Sequence, residues 1–405
     1  MTHVDQQTAP IMPPVTLPWQ RMLFRWAGKL RHGHLTLTFP DGREQIFVGM
    51  EPGPSASLRL NNGRAVWRIL TGGSLGFARS FMDRDWDTSN IADLLELAIA
   101  NEESLGSIVH PGILTRLLAR LRHRLNRNSK SGSKRNIAFH YDLGNEFYAT
   151  WLDETMTYSS ALFEHPDQDL ADAQNAKYER ILQKLEIGPT DHVLEIGCGW
   201  GGFAEYAIRR TGCHVTGLTL SKEQAAFARQ RLDEAGMSDR SDIRIQDYRD
   251  CRERFTKIVS IEMFEAVGEE NWHLYFNRVR DLLVKGGHAL VQVITIDESR
   301  FEDYRRSADF IQTYIFPGGM LPSVTVFENT ARQSGLDVLD TFRFGRDYEK
   351  TLLMWDETFE ANWHRIKPLG FDERFRRMWQ YYLHYCAVGF RIGRLDVVQF
   401  ELKAP

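Results

Sequence analysis

From Asp191 onward the chain repeats one unit, a short apolar strand followed by an amphipathic helix, with strands expected at 192–196, 214–218, 243–246, 257–261 and 289–296. Strands that alternate with helices bury both faces when they lie side by side in a parallel sheet with helices above and below. The expected fold class is therefore α/β, with a doubly wound, Rossmann-like sheet. Aromatic-rich sequence interrupts the alternation over residues 297–325, a helical insertion follows from Thr351 to about Ile392, and Leu395–Leu402 alternates as a final strand.

The first strand runs into Glu195-Ile196-Gly197-Cys198-Gly199-Trp200-Gly201-Gly202, at a strand-to-helix junction. Glycines there let the chain turn tightly and let a ligand approach where a Cβ would collide. Gly197, Gly199 and Gly202 match the dinucleotide spacing G-x-G-x-x-G, so a nicotinamide oxidoreductase is one reading. Two features oppose it. Glu195 would repel a pyrophosphate, and the end of the second strand, Gly217-Leu218-Thr219-Leu220-Ser221, lacks the acid that holds a ribose hydroxyl. S-adenosylmethionine, with sulfonium and ammonium charges, suits this loop better. A turn with no ligand would spend chain entropy on these glycines with no packing return.

The amino-terminal part is of another kind. Residues 1–18 hold four of the 14 prolines and read as a mobile tail. Between Pro18 and Leu30, Trp19, Met22, Leu23, Trp26 and Leu30 form an apolar helical stripe, with Arg21, Arg25 and Lys29 on another. Such a helix either packs on its own domain or lies in a membrane interface. Alternating runs flanking Pro40-Asp41-Gly42-Arg43 and Asn61-Asn62-Gly63 read as two hairpins, and a helix is expected over 90–101. Residues 19–104 thus form a small α+β domain without a polar constellation suited to chemistry.

The net charge of −4 conceals a segregation. From Leu105 to His140 there are eight basic residues, Arg116, Arg120, Arg122, Arg124, Arg127, Lys130, Lys134 and Arg135, and no acid. Leu114, Leu117, Leu118, Leu121 and Leu125 recur at helical steps among them before a Ser/Gly/Lys run. Residues 105–135 read as a basic amphipathic helix and linker, preceding a domain over 136–405. A solvated interdomain helix and adsorption to an anionic membrane surface are both open. No nucleic-acid motif accompanies the charge, so no nucleic acid is expected. The four cysteines lack metal-ligand spacing, no secretory signal is recognised, and no apolar run approaches the length of a bilayer span. No metal and a cytoplasmic location are the expectations.

Several blocks make the chain recognisable. They are His140-Tyr141-Asp142-Leu143-Gly144-Asn145, the glycine loop with Trp200, Thr219-Leu220-Ser221-Lys222-Glu223-Gln224, Gln246-Asp247-Tyr248-Arg249-Asp250, Met263-Phe264-Glu265-Ala266-Val267-Gly268, Tyr314-Ile315-Phe316-Pro317-Gly318-Gly319, and Cys386-Ala387. In these the chain resembles the cyclopropane-fatty-acid synthase family of S-adenosylmethionine-dependent methyltransferases. The resemblance covers about Ile137 to Phe400, and a fainter likeness to the bacterial phospholipid synthases extends through the amino-terminal domain. It implies a class I methyltransferase sheet. Its cofactor contacts fall on Tyr158, Ser159, Glu195, Gly197, Cys198, Gly199, Gly201, Thr219, Leu220, Gln224, Asp247 and Tyr248.

The resemblance further implies transfer of a methyl group to the double bond of an unsaturated phospholipid acyl chain. A bound bicarbonate then removes a proton to close a cyclopropane ring. Aromatics expected near the acyl chain are Tyr304, Phe310, Tyr314, Phe316, Tyr348 and Trp355. The catalytic set falls on Glu265, Tyr348, Ser160, Gln292, Ile294 and Cys386, with Glu265 as partner of the anion's hydroxyl and Tyr348 as a donor near the cation. Three positions depart from the family pattern: Ser160 replaces a cysteine, and Gln292 and Ala266 each replace a histidine. Gln292 can donate a hydrogen bond but cannot take up a proton near neutral pH. The departures lie at the product-deciding step, so methyl transfer without ring closure is the alternative outcome, giving a methylene, methyl-branched or furan-precursor acid. An inactive lipid-binding relative is the alternative of another class. The expected location is peripheral, at the inner membrane face, and a homodimer is left open.

Overall fold

The computed structural model describes residues 17–106 and 143–405. The expected tail over 1–18 and the basic segment over 105–135 lie almost wholly outside the described residues. Two compact units divide the chain, Met1–Gly112 and Ile113–Pro405.

In the first unit, helix α1 (Pro18–Ala27) buries Leu23, Trp26 and Ala27 and leaves Arg21, Arg25 and Lys29 exposed, so its apolar stripe faces its own core. Strands β1 (His32–Thr38) and β2 (Glu44–Val48) form the expected hairpin. The second expected hairpin does not form. Strand β3 (Glu51–Leu60) pairs in parallel with β1, and after Asn61-Asn62-Gly63 the chain enters helix α2 (Arg64–Met82). The reason is local. Ala65 and Val66 are completely buried on a helical stripe, while Asn62, Arg64 and Arg68 converge on the buried carboxylate of Asp85. Strand β4 (Trp86–Asp87) completes the sheet β2-β1-β3-β4, and α3 (Ile91–Ala100), capped by Asn90, follows.

The second unit carries a seven-stranded sheet of order β10-β11-β9-β8-β5-β6-β7. Strands β5 (His192–Ile196), β6 (His214–Thr219), β7 (Ser241–Ile245), β8 (Phe255–Ile261) and β9 (Leu283–Ile296) run parallel, as expected. Strand β10 (Asp337–Arg343) was not expected. It pairs antiparallel with β11 (Leu395–Lys403), which pairs antiparallel with β9, so the sheet is mixed. Strand β10 shows only partial burial, which leaves it a weak apolar signal in sequence.

Helices α4 (Leu170–Lys184), α5 (Gly202–Thr211), α6 (Lys222–Glu234), α7 (Trp272–Leu282) and α8 (Val324–Gln333) accompany the strands. Alternate residues of β5 serve two cores. Val193 packs with Tyr178, Ile181, Phe203 and Leu232, while Leu194 and Ile196 pack with Phe264, Phe276 and Phe400, as the period-two geometry of a strand requires. The helical stretch expected from Thr351 is broken into α9 (Gly345–Ala361) and α10 (Glu373–Arg391), with a short helical turn at Trp363–Ile366 between them; Pro368 and the left-handed Gly370 (φ 100°) lie just before α10. In chain order the strands advance β5-β6-β7 to one side and β8-β9 to the other. The strand order therefore reverses between β5 and β8, the point where open α/β sheets bind ligands beyond the carboxyl ends of their strands.

Candidate functional site

A cleft opens at that reversal point. All the residues expected to hold the cofactor line it except Gly201: Tyr158 and Ser159 from the segment before α4, Glu195 to Gly199 from β5 and its loop, Thr219, Leu220 and Gln224 from β6 and α6, and Asp247 and Tyr248 after β7. Gly201 has another task. A Cβ there would stand 3.0 Å from that of Ala228, so the glycine permits α5 and α6 to approach. Gly199, at φ 51°, has open space where its Cβ would be, which is what a closely approaching ligand needs.

The cleft's polar groups are specific about charge. Glu195 is 3% exposed, and its Oε2 has no hydrogen-bond partner among the described residues. Burial pushes its carboxyl up to about 8, opposed by the charge of Lys177. An orphaned buried carboxylate suits an amino-bearing or cationic ligand and opposes a phosphate. Thr219 donates to Gln224 Oε1 at 2.8 Å, which leaves the Gln224 amide nitrogen as the neutral donor of that pair. Both carboxylate oxygens of Asp247 are taken by Arg249, so Asp247 meets a ligand as part of an ion pair. These residues fit S-adenosylmethionine, whose positive charge Glu195 would face.

Three of the expected catalytic residues, Ser160, Gln292 and Tyr348, are tied together by a residue that sequence reasoning missed, Glu262. It follows β8, lines the cleft and is buried. Its Oε1 accepts from the Ser160 backbone N–H and the Gln292 side-chain amide, each at 2.8 Å, and its Oε2 accepts from the Tyr348 hydroxyl at 2.6 Å. Gln292 in turn accepts from Gln399, which accepts from Arg180. The Ser160 hydroxyl donates to the Ala161 carbonyl, so it is the backbone N–H that meets Glu262. The Ile294 N–H donates at 2.5 Å to Glu265 Oε1, while the buried Oε2 of Glu265 has no partner among the described residues. Burial and the neighbouring Glu262 charge push Glu265 up to about 8. Burial pushes the Glu262 carboxyl up as well, opposed by its hydrogen bonds and by the charge of Lys177.

Glu262 has φ 49°, the left-handed region, which costs a non-glycine residue roughly 1–3 kcal/mol. Beneath it, the buried Lys177 on α4 donates to Ser159 Oγ at 2.7 Å and Gln174 Oε1 at 2.6 Å. Burial pulls this amine down to about 7, and the charges of Glu262, Asp153 and Glu195 oppose that. Two signals were available in the sequence. Glu262 directly precedes the block Met263–Gly268 at the end of a strand, and Lys177 falls on the same helical stripe as Ala173, Gln174, Tyr178 and Ile181. Cys386, on α10, stands outside the hydrogen-bonded cluster; burial pushes its thiol up, so it stays protonated and is a poor nucleophile.

Tyr158, which lines the cleft, belongs to a set of packed aromatic rings. Tyr158 lies 5.3 Å from Trp355, Tyr348 lies 4.7 Å from Phe390, and the Tyr158 and Tyr382 hydroxyls are 2.8 Å apart. Phe310 packs on Tyr314, Tyr381 and Tyr385. The result is a cofactor cleft with the buried carboxyl groups of Glu195 and Glu262 in its lining and packed aromatic rings behind Tyr158.

This arrangement matches known proteins. The family profile described as Mycolic acid cyclopropane synthetase matches residues 128–400. The chain is 38% identical over 381 residues to a tuberculostearic acid methyltransferase of Mycobacterium tuberculosis, covering 92% of this chain and 88% of that one. It is 36% identical over 344 residues to the cyclopropane-fatty-acyl-phospholipid synthase of Escherichia coli K12, covering 85% and 87%. A solved mycolic acid cyclopropane synthase, in complex with S-adenosylhomocysteine and CTAB, superposes with a TM-score of 0.63 at 33% identity, over 67% of this chain and 98% of that one. With the glycine loop, the orphaned Glu195 and the cleft at the strand-order reversal, these similarities establish that the chain belongs to the mycolic acid cyclopropane synthetase family of S-adenosylmethionine-dependent methyltransferases.

Proposed function

We propose that this methyltransferase transfers the methyl group of S-adenosylmethionine to the double bond of an unsaturated fatty acyl chain carried by a membrane phospholipid, ending in a cyclopropane ring. The observation that carries the reading is that Glu262 belongs both to the cofactor cleft and to the cluster of Ser160, Gln292 and Tyr348. An alkene is a weak nucleophile, so its carbons must be held in line with the reactive methyl group and water kept out. Methyl transfer leaves a carbocation. The faces of Tyr158, Tyr348 and Trp355 suit such a cation, and the carboxylate beside them suits the proton that must leave. The likeness to a protein named as a cyclopropane-fatty-acyl-phospholipid synthase supports the choice of acyl substrate. The basic run from Arg116 to Arg135 suits docking on the anionic surface in which that substrate resides.

A second outcome, methyl transfer without ring closure, is favoured by Ser160, Gln292 and Ala266, which replace the family's usual residues around the deprotonation step. The likeness to a tuberculostearic acid methyltransferase supports it too. Expression in a host without cyclopropane lipids, followed by mass analysis of its fatty acids, separates the two. A product one CH₂ heavier with no double bond is expected for ring closure. Retained unsaturation, or a saturated product two hydrogens heavier than the ring, establishes the second outcome, and unchanged fatty acids reject acyl methylation altogether.

A further inference from the structure

We propose that Glu262 is the base that accepts the proton released after methyl transfer, taking the place of the bicarbonate that the family resemblance implies. This rests on the methyl-transfer reading above. The donors available to hold an anion are already committed. The Ser160 N–H, the Gln292 amide and the Tyr348 hydroxyl all end on Glu262, and the Ile294 N–H ends on Glu265. An added bicarbonate would find those groups engaged and would stand beside a buried carboxylate of its own sign. The pocket does not fit the ion; it already contains a covalently attached carboxylate.

Glu262 is also equipped to act. Its three hydrogen bonds fix the carboxylate plane and leave roughly one of about four lone-pair positions open toward the cleft. Burial raises the Glu262 carboxyl, and the three donors that end on its two oxygens, with the charge of Lys177, oppose that and favour the ionised form. In the reaction, the double-bond electrons form the new carbon–carbon bond as the sulfur–methyl bond breaks, its electron pair staying on sulfur as S-adenosylhomocysteine. A C–H bond of the transferred methyl then breaks, and a Glu262 oxygen takes the proton. The electron pair goes to the cationic carbon. It closes a ring when that carbon is two bonds away and forms a double bond when a hydride shift has brought the cation next to the methyl. The proton passes to water when the products leave. Glu262 is thus assigned as a catalytic residue and Lys177 as a positioning residue.

The test uses the full-length enzyme with vesicles of unsaturated phospholipid in buffer stripped of carbon dioxide. Wild-type turnover is expected to be the same with and without added bicarbonate; loss of turnover on stripping, restored by bicarbonate, overturns the proposal. Glu262→Gln is expected still to bind S-adenosylhomocysteine, with affinity within a few-fold of wild type, and to lose roughly 100-fold or more in turnover, and a wild-type rate in that variant overturns the proposal. Glu262→Gly suits the left-handed backbone and empties the carboxylate's place. It is expected to be inactive in stripped buffer and to regain activity with bicarbonate or formate; full activity without either anion overturns the assignment. A wild type that methylates no acyl chain in either buffer rejects the methyl-transfer reading itself, an outcome distinct from bicarbonate dependence.

Discussion

Tyr348 donates a 2.6 Å hydrogen bond to Oε2 of Glu262, tying α9 to the end of β8 across 86 positions of sequence. A hydrogen bond to a charged group contributes about 1.5–3 kcal/mol, so Tyr348→Phe is expected to lower turnover by roughly 10- to 100-fold. Affinity for S-adenosylhomocysteine should hold, because Tyr348 does not line the cleft. Single-turnover rates and calorimetric titration separate the two quantities, and an unchanged rate would remove Tyr348 from the site.

Cofactor binding is expected to strengthen as pH rises toward about 8. Free Glu195 is held up at about 8 by burial, with Lys177, Tyr178 and Cys198 as its titratable neighbours. A cationic ligand prefers the ionised carboxylate, so below pH 8 binding must release a proton and loses at most about tenfold per pH unit. Titrations in two buffers of different ionisation enthalpy measure that release. Affinity independent of pH from 6 to 9 would sink the assignment, and Glu195→Gln is expected to flatten the profile.

Glu265→Gln separates a stability effect from a functional one. Glu265 ionises near 4.5 when unfolded and near 8 when folded, so between these values the unfolded state binds fewer protons and stability falls as pH rises. Glutamine has no such dependence. The melting temperature of the variant relative to wild type is therefore expected to increase from pH 5 to pH 8, while turnover is lost and cofactor binding is kept. A difference in melting temperature that is constant with pH contradicts the neutral Glu265.

Binding to anionic vesicles is expected to weaken with added salt, because exposed charges are screened within a Debye length of about 10 Å at 0.1 M. Replacing Arg116, Arg120, Arg124 and Arg127 by glutamine should lower vesicle affinity several-fold. Salt-insensitive binding by wild type counts against electrostatic docking.

Much of this protein is legible along the chain. The strand–helix alternation from Asp191 determined the parallel sheet, and Glu195 with the glycines determined which sign of ligand the first loop accepts, because both depend on residues close in sequence. The amino-terminal unit was less legible: Asn62, Arg64 and Arg68 turn the chain into α2 by meeting Asp85, a partner outside the local pattern. Strand β10 was missed because its place is set by β11, paired to it from Arg343↔Val398 to Asp337↔Lys403. The deprotonation pocket was the least legible part. The family resemblance marked Ser160, Gln292, Glu265 and Tyr348 and the departures among them. Only the tertiary structure decided that their neighbour Glu262 gathers the donors, since its partners are on a loop (Ser160), on β9 (Gln292) and on α9 (Tyr348) and converge by folding alone. Hydrogen bonds that satisfy a buried carboxylate are a property of that convergence, and no local spacing encodes them.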